Sequence, residues 1–470
     1  MFELENTYAQ LPGILHRPAT PHAVGAPHFA ITNQALAKAM GLSAGWLSEA
    51  ETLQLLAGNS NQPAVAMAYA GHQFGHFVPS LGDGRAYLLG EIVGPDGVRR
   101  DLHLKGAGRT AYSRGGDGRA TLKAMLREYI ISEAMAGFGI PTTRSLAVVA
   151  TGEDVPRERV EPGAILTRVA RSHVRVGTFQ YLAARGEVAA LETLVDYEVA
   201  RNFSGAPKGQ PRFLWFLSEV IARQAALISQ WMCVGFIHGV MNTDNMSVCG
   251  ETIDYGPCAF IDAFHPQKTF SSIDEHGRYA WDKQPTIALW NLTRLAEARL
   301  PLFDADREVA VSLAEAELKK FLPAFENAFE AGMMRKLGCA TPQLGDGEFI
   351  AATLMAMTDG QADFTNFFVA LTDAAPLDSF FVNEAALQSW TEKWQARVPS
   401  PDYDLMRSAN PRYIARNHRV EQALEAARNG DLSLVNKLVS IVTLPFDEHG
   451  DGYDKPPEVD EEIHATFCGT

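Results

Sequence analysis

Residues 238–264 read HGVMNTDNMSVCGETIDYGPCAFIDAF, and this stretch decides what the chain is built around. It follows RFLWFLSEVIARQAALISQWMCVGF over residues 212–236, whose apolar positions recur at helical spacing. Inside it, Asp244, Asn245 and Asp254 put two carboxylates and an amide within eleven residues. Such hard oxygen donors suit Mg²⁺ or Mn²⁺ when phosphate oxygens complete the coordination shell. A simple turn explains Asp244 alone, but a turn has no need of all three. The segment therefore reads as a metal- and phosphate-handling loop entered from a helix, and the groups that grip phosphate must come from elsewhere in the chain.

Upstream, SLGDGRAYLLGE sets Gly82 and Gly84 on either side of Asp83, with Arg85 next, just before a strand. Two glycines let a backbone approach an anion with its amides, and an arginine forks onto phosphate; taken alone, the same pattern is a tight turn opening a hairpin. AYLLGEIV, Gly94-Pro95-Asp96-Gly97 and RRDLHLK then read as strand, turn, strand, with Leu102 and Leu104 alternating with polar neighbours. Lys105 closes this hairpin twenty-one residues after Gly84. A helix is predicted over 120–136, stopped by Gly137, Gly139 and Pro141. It carries Glu128, suited to an ion pair with Lys105, and Glu133, which fits the pattern as well. Between lysine and helix lies GAGRTAYSRGGDGRATL, where Asp117 and Gly118 serve either as a second nucleotide contact or, for Asp117, as the helix N-cap. Two further apolar strands, SLAVVAT and GAILTRVA, lead to Arg168 and Arg175 in LTRVARSHVRV. Buried arginines require an anion, supplied by an internal carboxylate or a bound phosphate.

The order glycine loop, strand lysine, helix glutamate, then His238-Gly239, Asn245 and Asp254-Tyr255-Gly256 parallels that of protein kinases. The expected fold is α+β, a protein-kinase-like two-lobed arrangement with a helical C-terminal extension. Residues 1–65 form an extension of Pro-rich coil with one short helix near 31–40. Residues 66–170 form the sheet-bearing lobe, 171–300 a helical lobe holding the metal loop, and 301–470 helices and a charged tail. At the position of the kinase catalytic aspartate stands Val240, which cannot accept a proton, leaving Asp244 as the substitute carboxylate.

The net charge of -15 argues against nucleic-acid and anionic-membrane partners. No apolar run reaches eighteen residues and the first thirty lack a signal-peptide pattern, so a cytoplasmic protein is expected. The five cysteines form no zinc-ribbon spacing, and Cys233 and Cys249 lie among apolar residues. His72 and His76 in GHQFGH have the spacing of two zinc ligands on a helical turn, but flanking glycines disfavour a helix there and no third ligand is nearby.

The motifs AYAGHQFGHFVPSLGDGRAYLLGE, LKGAGRTAYSRGGDGRATL, LREYIISEAM, LTRVARSHVRVGTF and HGVMNTDNMS together resemble the selenoprotein O family, and the resemblance spans essentially the whole chain. It implies a kinase-like fold that transfers AMP from ATP, or UMP from UTP, to protein hydroxyls, self-modification included, with the nucleotide reversed so that its α-phosphate faces the acceptor. Carried over by motif, Gly82, Gly84, Arg85, Lys105, Asp117, Gly118, Arg168, Arg175 and Asp254 surround the nucleotide. Asn245 and Asp254 hold Mg²⁺ or Mn²⁺, and Asp244 accepts the proton. The competing classes are a phosphotransferase, against which Val240 counts, and a nucleotide-binding scaffold, against which the metal triad counts. Cys468, third from the C-terminus where some members carry selenocysteine, and Cys258, four residues after Asp254, make a candidate redox pair.

Overall fold

A computed structural model describes residues 4–450 and 452–467. Strands come first: β1 (His16–Ala19), β2 (His28–Thr32), β3 (Ala64–Met67), β4 (Gly71–Gln73), β5 (His76–Val78), β6 (Ala86–Val93), β7 (Arg99–Lys105), β8 (Arg144–Pro156) and β9 (Val160–Ala170). Seven of them build one sheet in the order β1-β3-β6-β7-β9-β8-β2, every pairing antiparallel, and β4 pairs with β5 in a separate hairpin. The β6–β7 turn closes with Gly94 N donating to Val98 O at 3.0 Å, and Gly97 takes the left-handed φ of 73° that such a turn requires.

The first 65 residues contribute more than coil. β1 and β2 form the two edges of the sheet. Ile31 lies in β2, and Asn33 ends that strand by accepting Leu36 N at 2.9 Å, which caps α1 (Gln34–Ala39). α1 and α2 (Ala50–Leu56) supply Leu36, Ala37 and Leu56 to an apolar cluster with Tyr87, Leu89, Leu102, Leu104 and Ile165, which covers one face of the sheet. The other face carries α3 (Leu122–Gly137), whose Met125, Leu126 and Tyr129 pack in one cluster with Leu88, Val148 and Leu166. Thr121, not Asp117, is the N-cap of α3, its Oγ1 accepting Ala124 N.

After β9 the chain is helical: α4 (Val176–Ala183), α5 (Val188–Asn202), α6 (Arg212–Cys233) and α7 (Gln284–Glu297). A short antiparallel pair, β10 (Phe236–Ile237) with β11 (Ala259–Phe260), holds the loop between them. α8 (Arg307–Leu318), α9 (Phe321–Lys336), α10 (Asp346–Asp359), α11 (Phe364–Thr372), α12 (Glu384–Arg397), α13 (Tyr403–Ala409), α14 (Asn417–Arg428) and α15 (Ser433–Val442) complete an α+β architecture. α14 and α15 return to pack on α3, where Glu421 pairs with Arg127 at 3.0 Å and Glu425 with Lys123 at 3.3 Å. Among the described residues no helix is long and apolar enough to cross a membrane.

Candidate active site

The site grows from the pleat of β7. Successive side chains of a strand face opposite sides, so Leu102 and Leu104 enter the apolar cluster, while Asp101, His103 and Lys105 point the other way and are buried there. Lys105 Nζ reaches Glu128 Oε2 at 2.8 Å and Asp254 Oδ1 at 2.5 Å. Arg168 on β9, directly opposite His103, binds the second oxygen of Glu128 and reaches Asp254 Oδ1 at 2.6 Å. Two cations and two carboxylates thus close a ring. Burial opposes ionisation of both acids, yet Lys105 and Arg168 hold Glu128 low, and the same pair with Arg175 holds Asp254 well below the usual carboxylate range. Glu133 belongs elsewhere, bound by Arg144 at 2.5 Å and by Asn33 Nδ2 at 2.7 Å.

This ring floors a cleft of about 660 Å³ lined by Gly82, Gly84, Arg85, Lys105, Asp117, Gly118, Arg168, Arg175, Asp244, Asn245 and Asp254. Its two glycine loops are stitched together. Thr110 Oγ1 donates to Asp83 O at 2.6 Å, Ser113 Oγ donates to Gly84 O at 2.5 Å, and a Cβ on Gly82 would fall 2.3 Å from the Tyr112 ring. Gly118, at φ 71°, lies so close to Gly108 that an added Cβ would meet its carbonyl at 2.1 Å. Asp117 accepts Arg119 N at 2.9 Å and pairs with Arg157 at 2.7 Å on the cleft wall.

The loop 238–256 forms the opposite wall. His238 is buried with Nε2 2.9 Å from Ile253 O, and Asn245 Nδ2 donates to Val240 O at 3.0 Å. Arg175 crosses between the walls: its guanidinium lies 4.5 Å from the Tyr69 ring, Nη1 donates to Asp244 O at 2.9 Å, and Nη2 stands 3.9 Å from Asp83 Oδ1. Burial pushes the Asp244 carboxyl up to about 6 against the pull of Arg175. Asn245 and Asp254 present a neutral and an anionic oxygen donor to the same cleft, a set too small to enclose a cation but sufficient for one that shares phosphate oxygens.

Several participants were not predicted. Asp83, quoted only as the residue between two glycines, accepts Met67 N at 3.1 Å and has His103 Nε2 at 3.1 Å. His103 stacks on His173 at 4.2 Å, whose Nδ1 is 2.8 Å from Asp101, itself bound by Arg201. Burial and the neighbouring His103 push His173 down to about 3, while His103 and Arg175 hold Asp83 low against its own burial. The polar alternation of RRDLHLK was the available signal for this buried row. His72 lies on strand β4 rather than a helix, its Nδ1 2.9 Å from Gln180 Nε2 and its ring between Phe77 and Trp290. Gln73, from the same hairpin, reaches Asp244. Cys258 is a free, buried thiol outside the cleft wall, and Cys468 lies outside the described residues. Cys233 is partly buried and packs against the apolar core, whereas Cys249 is buried in a polar setting rather than the apolar one expected, its Sγ 3.0 Å from Ser247 Oγ; burial raises both thiols.

The family profile described as protein adenylyltransferase SelO matches residues 5–443, nearly the whole chain. The chain belongs to the SelO family. Its relatives include the protein nucleotidyltransferase YdiU of Rhodopseudomonas palustris strain BisB5, 50% identical with all of this chain and 99% of the relative covered. The Bradyrhizobium strain BTAi1 protein of the same name is also 50% identical, and that of Methylorubrum extorquens strain PA1 49%, both over equal coverage. Within the SelO family assignment, the cleft that gathers Lys105, Glu128, Arg168, Asp244, Asn245 and Asp254 is the candidate site of nucleotidyl transfer.

Proposed function

We propose that this protein is a nucleotidyltransferase that moves AMP from ATP, or UMP from UTP, onto Ser, Thr or Tyr hydroxyls of proteins, itself included. The observation that carries the reading is one cleft in which Arg85, Lys105, Arg168 and Arg175 meet Asp244, Asn245 and Asp254, while in sequence Val240 stands where a kinase keeps its base. The sheet-bearing region 66–170 and the helical region 171–300 would act as the two lobes of a kinase-like fold, with 1–65 bracing the sheet and 301–470 bracing α3 from behind.

In this reading Lys105, Arg168, Arg175 and Arg85 bind the polyphosphate, and the amides near Gly82, Gly84 and Gly118 approach it closely. Asn245 and Asp254 would hold Mg²⁺ or Mn²⁺, which neutralises phosphate charge. With the α-phosphate turned toward the acceptor, the hydroxyl oxygen attacks the α-phosphorus and its proton passes to Asp244. The bond from the α-phosphorus to the bridging oxygen breaks, and pyrophosphate departs with that electron pair. Support for Asp244 as acceptor comes from its position on the cleft wall and from the burial that raises its basicity.

Parallel incubations with α-labelled ATP, γ-labelled ATP and α-labelled UTP test the reading. Label from an α position entering protein is expected. Efficient entry of the γ label instead would replace it with phosphotransfer, and no entry from any donor would leave a binding scaffold.

A further inference from the structure

The hairpin β4–β5 has no part in the phosphate-binding ring, yet it is fastened to the loop that carries Asp244. His72 N donates to Thr243 Oγ1 at 2.8 Å and Phe74 N donates to Asn242 Oδ1 at 2.9 Å. Between these two anchors, Gln73 Nε2 stands 2.8 Å from Asp244 Oδ1 and 2.9 Å from Oδ2. The approach is possible only without a side chain at Gly71, where a Cβ would fall 2.3 Å from Asp244 Oδ1. The base of the hairpin is tied to α4, with Ala70 N donating to Gly177 O at 2.9 Å, and Tyr279 OH fixes Asn242 Oδ1 from the far side at 2.6 Å.

We propose that Gln73 is the positioning residue for the Asp244 carboxylate, and that the hairpin Gly71–Val78 exists at this place to present it. The inference rests on the reading of Asp244 as the proton acceptor. A carboxylate on a short loop rotates about its Cα–Cβ and Cβ–Cγ bonds, and each rotamer points the accepting oxygen elsewhere. An amide nitrogen set nearly equally from both oxygens fixes that rotation and leaves each oxygen a further lone pair for the acceptor hydroxyl. Gln73 lines the cleft, but its side-chain amide bonds Asp244 and none of Lys105, Glu128, Arg168 and Asp254, so its effect should fall on the transfer step more than on nucleotide binding.

Gln73→Met keeps the length and bulk of the side chain and removes the donor. With the full-length protein and α-labelled ATP as probe, self-labelling at saturating nucleotide should fall at least about tenfold, as expected for misplacing a general base. The ATP concentration for half-maximal rate should change less than about twofold, because uniform binding is untouched. Gln73→Asn, which keeps the amide but is one methylene short, should recover little. Unchanged labelling in Gln73→Met would overturn the proposal, and so would equal losses in rate and ATP affinity, the mark of a merely structural hairpin. Asp244→Asn serves as the control. If it labels as fast as wild type, the base reading itself fails; if it is inactive while Gln73→Met is normal, only the role of Gln73 falls.

Discussion

Replacing Glu128 by glutamine removes one negative charge from a ring that is balanced, leaving Lys105 and Arg168 with Asp254 alone. Glu128 is 1% exposed, so water cannot compensate. Unit charges 2.8 Å apart attract by about 6 kcal/mol at an effective dielectric constant of about 20. Part of that attraction only offsets the desolvation of the ions, and removing one partner of such a buried pair costs about 3–5 kcal/mol in practice. Taking about 3 kcal/mol and an unfolding entropy of about 2 cal/mol/K for each of 470 residues, a cooperative transition falls by about 3 °C. Polyphosphate entering the cleft would supply the missing negative charge, so ATP should raise the melting temperature of Glu128→Gln by more than it raises that of wild type. Transfer should drop at least about tenfold, since Lys105, released by Glu128, is drawn wholly to Asp254, the carboxylate proposed to hold the metal. Differential scanning fluorimetry with and without ATP, alongside label transfer, measures all three. A melting temperature within a degree of wild type together with undiminished transfer would refute the view that this ring organises the site.

Asp254→Ala should abolish metal-dependent nucleotide binding in titration calorimetry, whereas Asp244→Asn should lose transfer and keep most binding; equal loss of binding would make Asp244 a ligand. Gly71→Ala drives a methyl against the Asp244 carboxylate and should depress transfer at least about tenfold with nucleotide binding retained, read from the same two assays. The Cys258 thiol, raised to about 12 by burial, carries thiolate in only about one molecule in ten thousand at pH 8, so native protein should resist alkylation there while denatured protein reacts. The redox pairing requires the Cys258 segment to open, so a Cys258–Cys468 cross-link should accumulate in non-reducing peptide maps of oxidised protein only as slowly as native Cys258 is alkylated. Thr466 already donates to Pro257 O at 2.6 Å, two residues from Cys468 and one from Cys258. Absence of the linked peptide, or no response of transfer to reductant, would remove the redox role.

By itself the sequence determined the order of elements and the inventory of chemistry. Strand-period apolar runs before residue 171 and helix-period runs after it gave an α+β chain, because periodicity reports which faces must be buried. The glycine loops, Lys105, and the closely spaced Asp244, Asn245 and Asp254 were legible because their chemistry is carried by residue type and short spacing. Partnership across long separations was not. Glu128 and Glu133 lie on the same helix five residues apart, and only the crossing of α3 over the sheet turns one toward Lys105 and the other toward Arg144. The proline-rich first 65 residues hid two edge strands, because an edge strand tolerates proline and its pairing is decided by partners far along the chain. The polar residues of β7 would ordinarily face water. The tertiary structure places helices over that face, and Asp101 and His103 become a buried hydrogen-bonded row. Gln73 offered least in sequence, since an amide between a histidine and a phenylalanine has no signature of its own. Its meaning comes from a hairpin folded back, across a separation of 171 residues, onto the one carboxylate it holds.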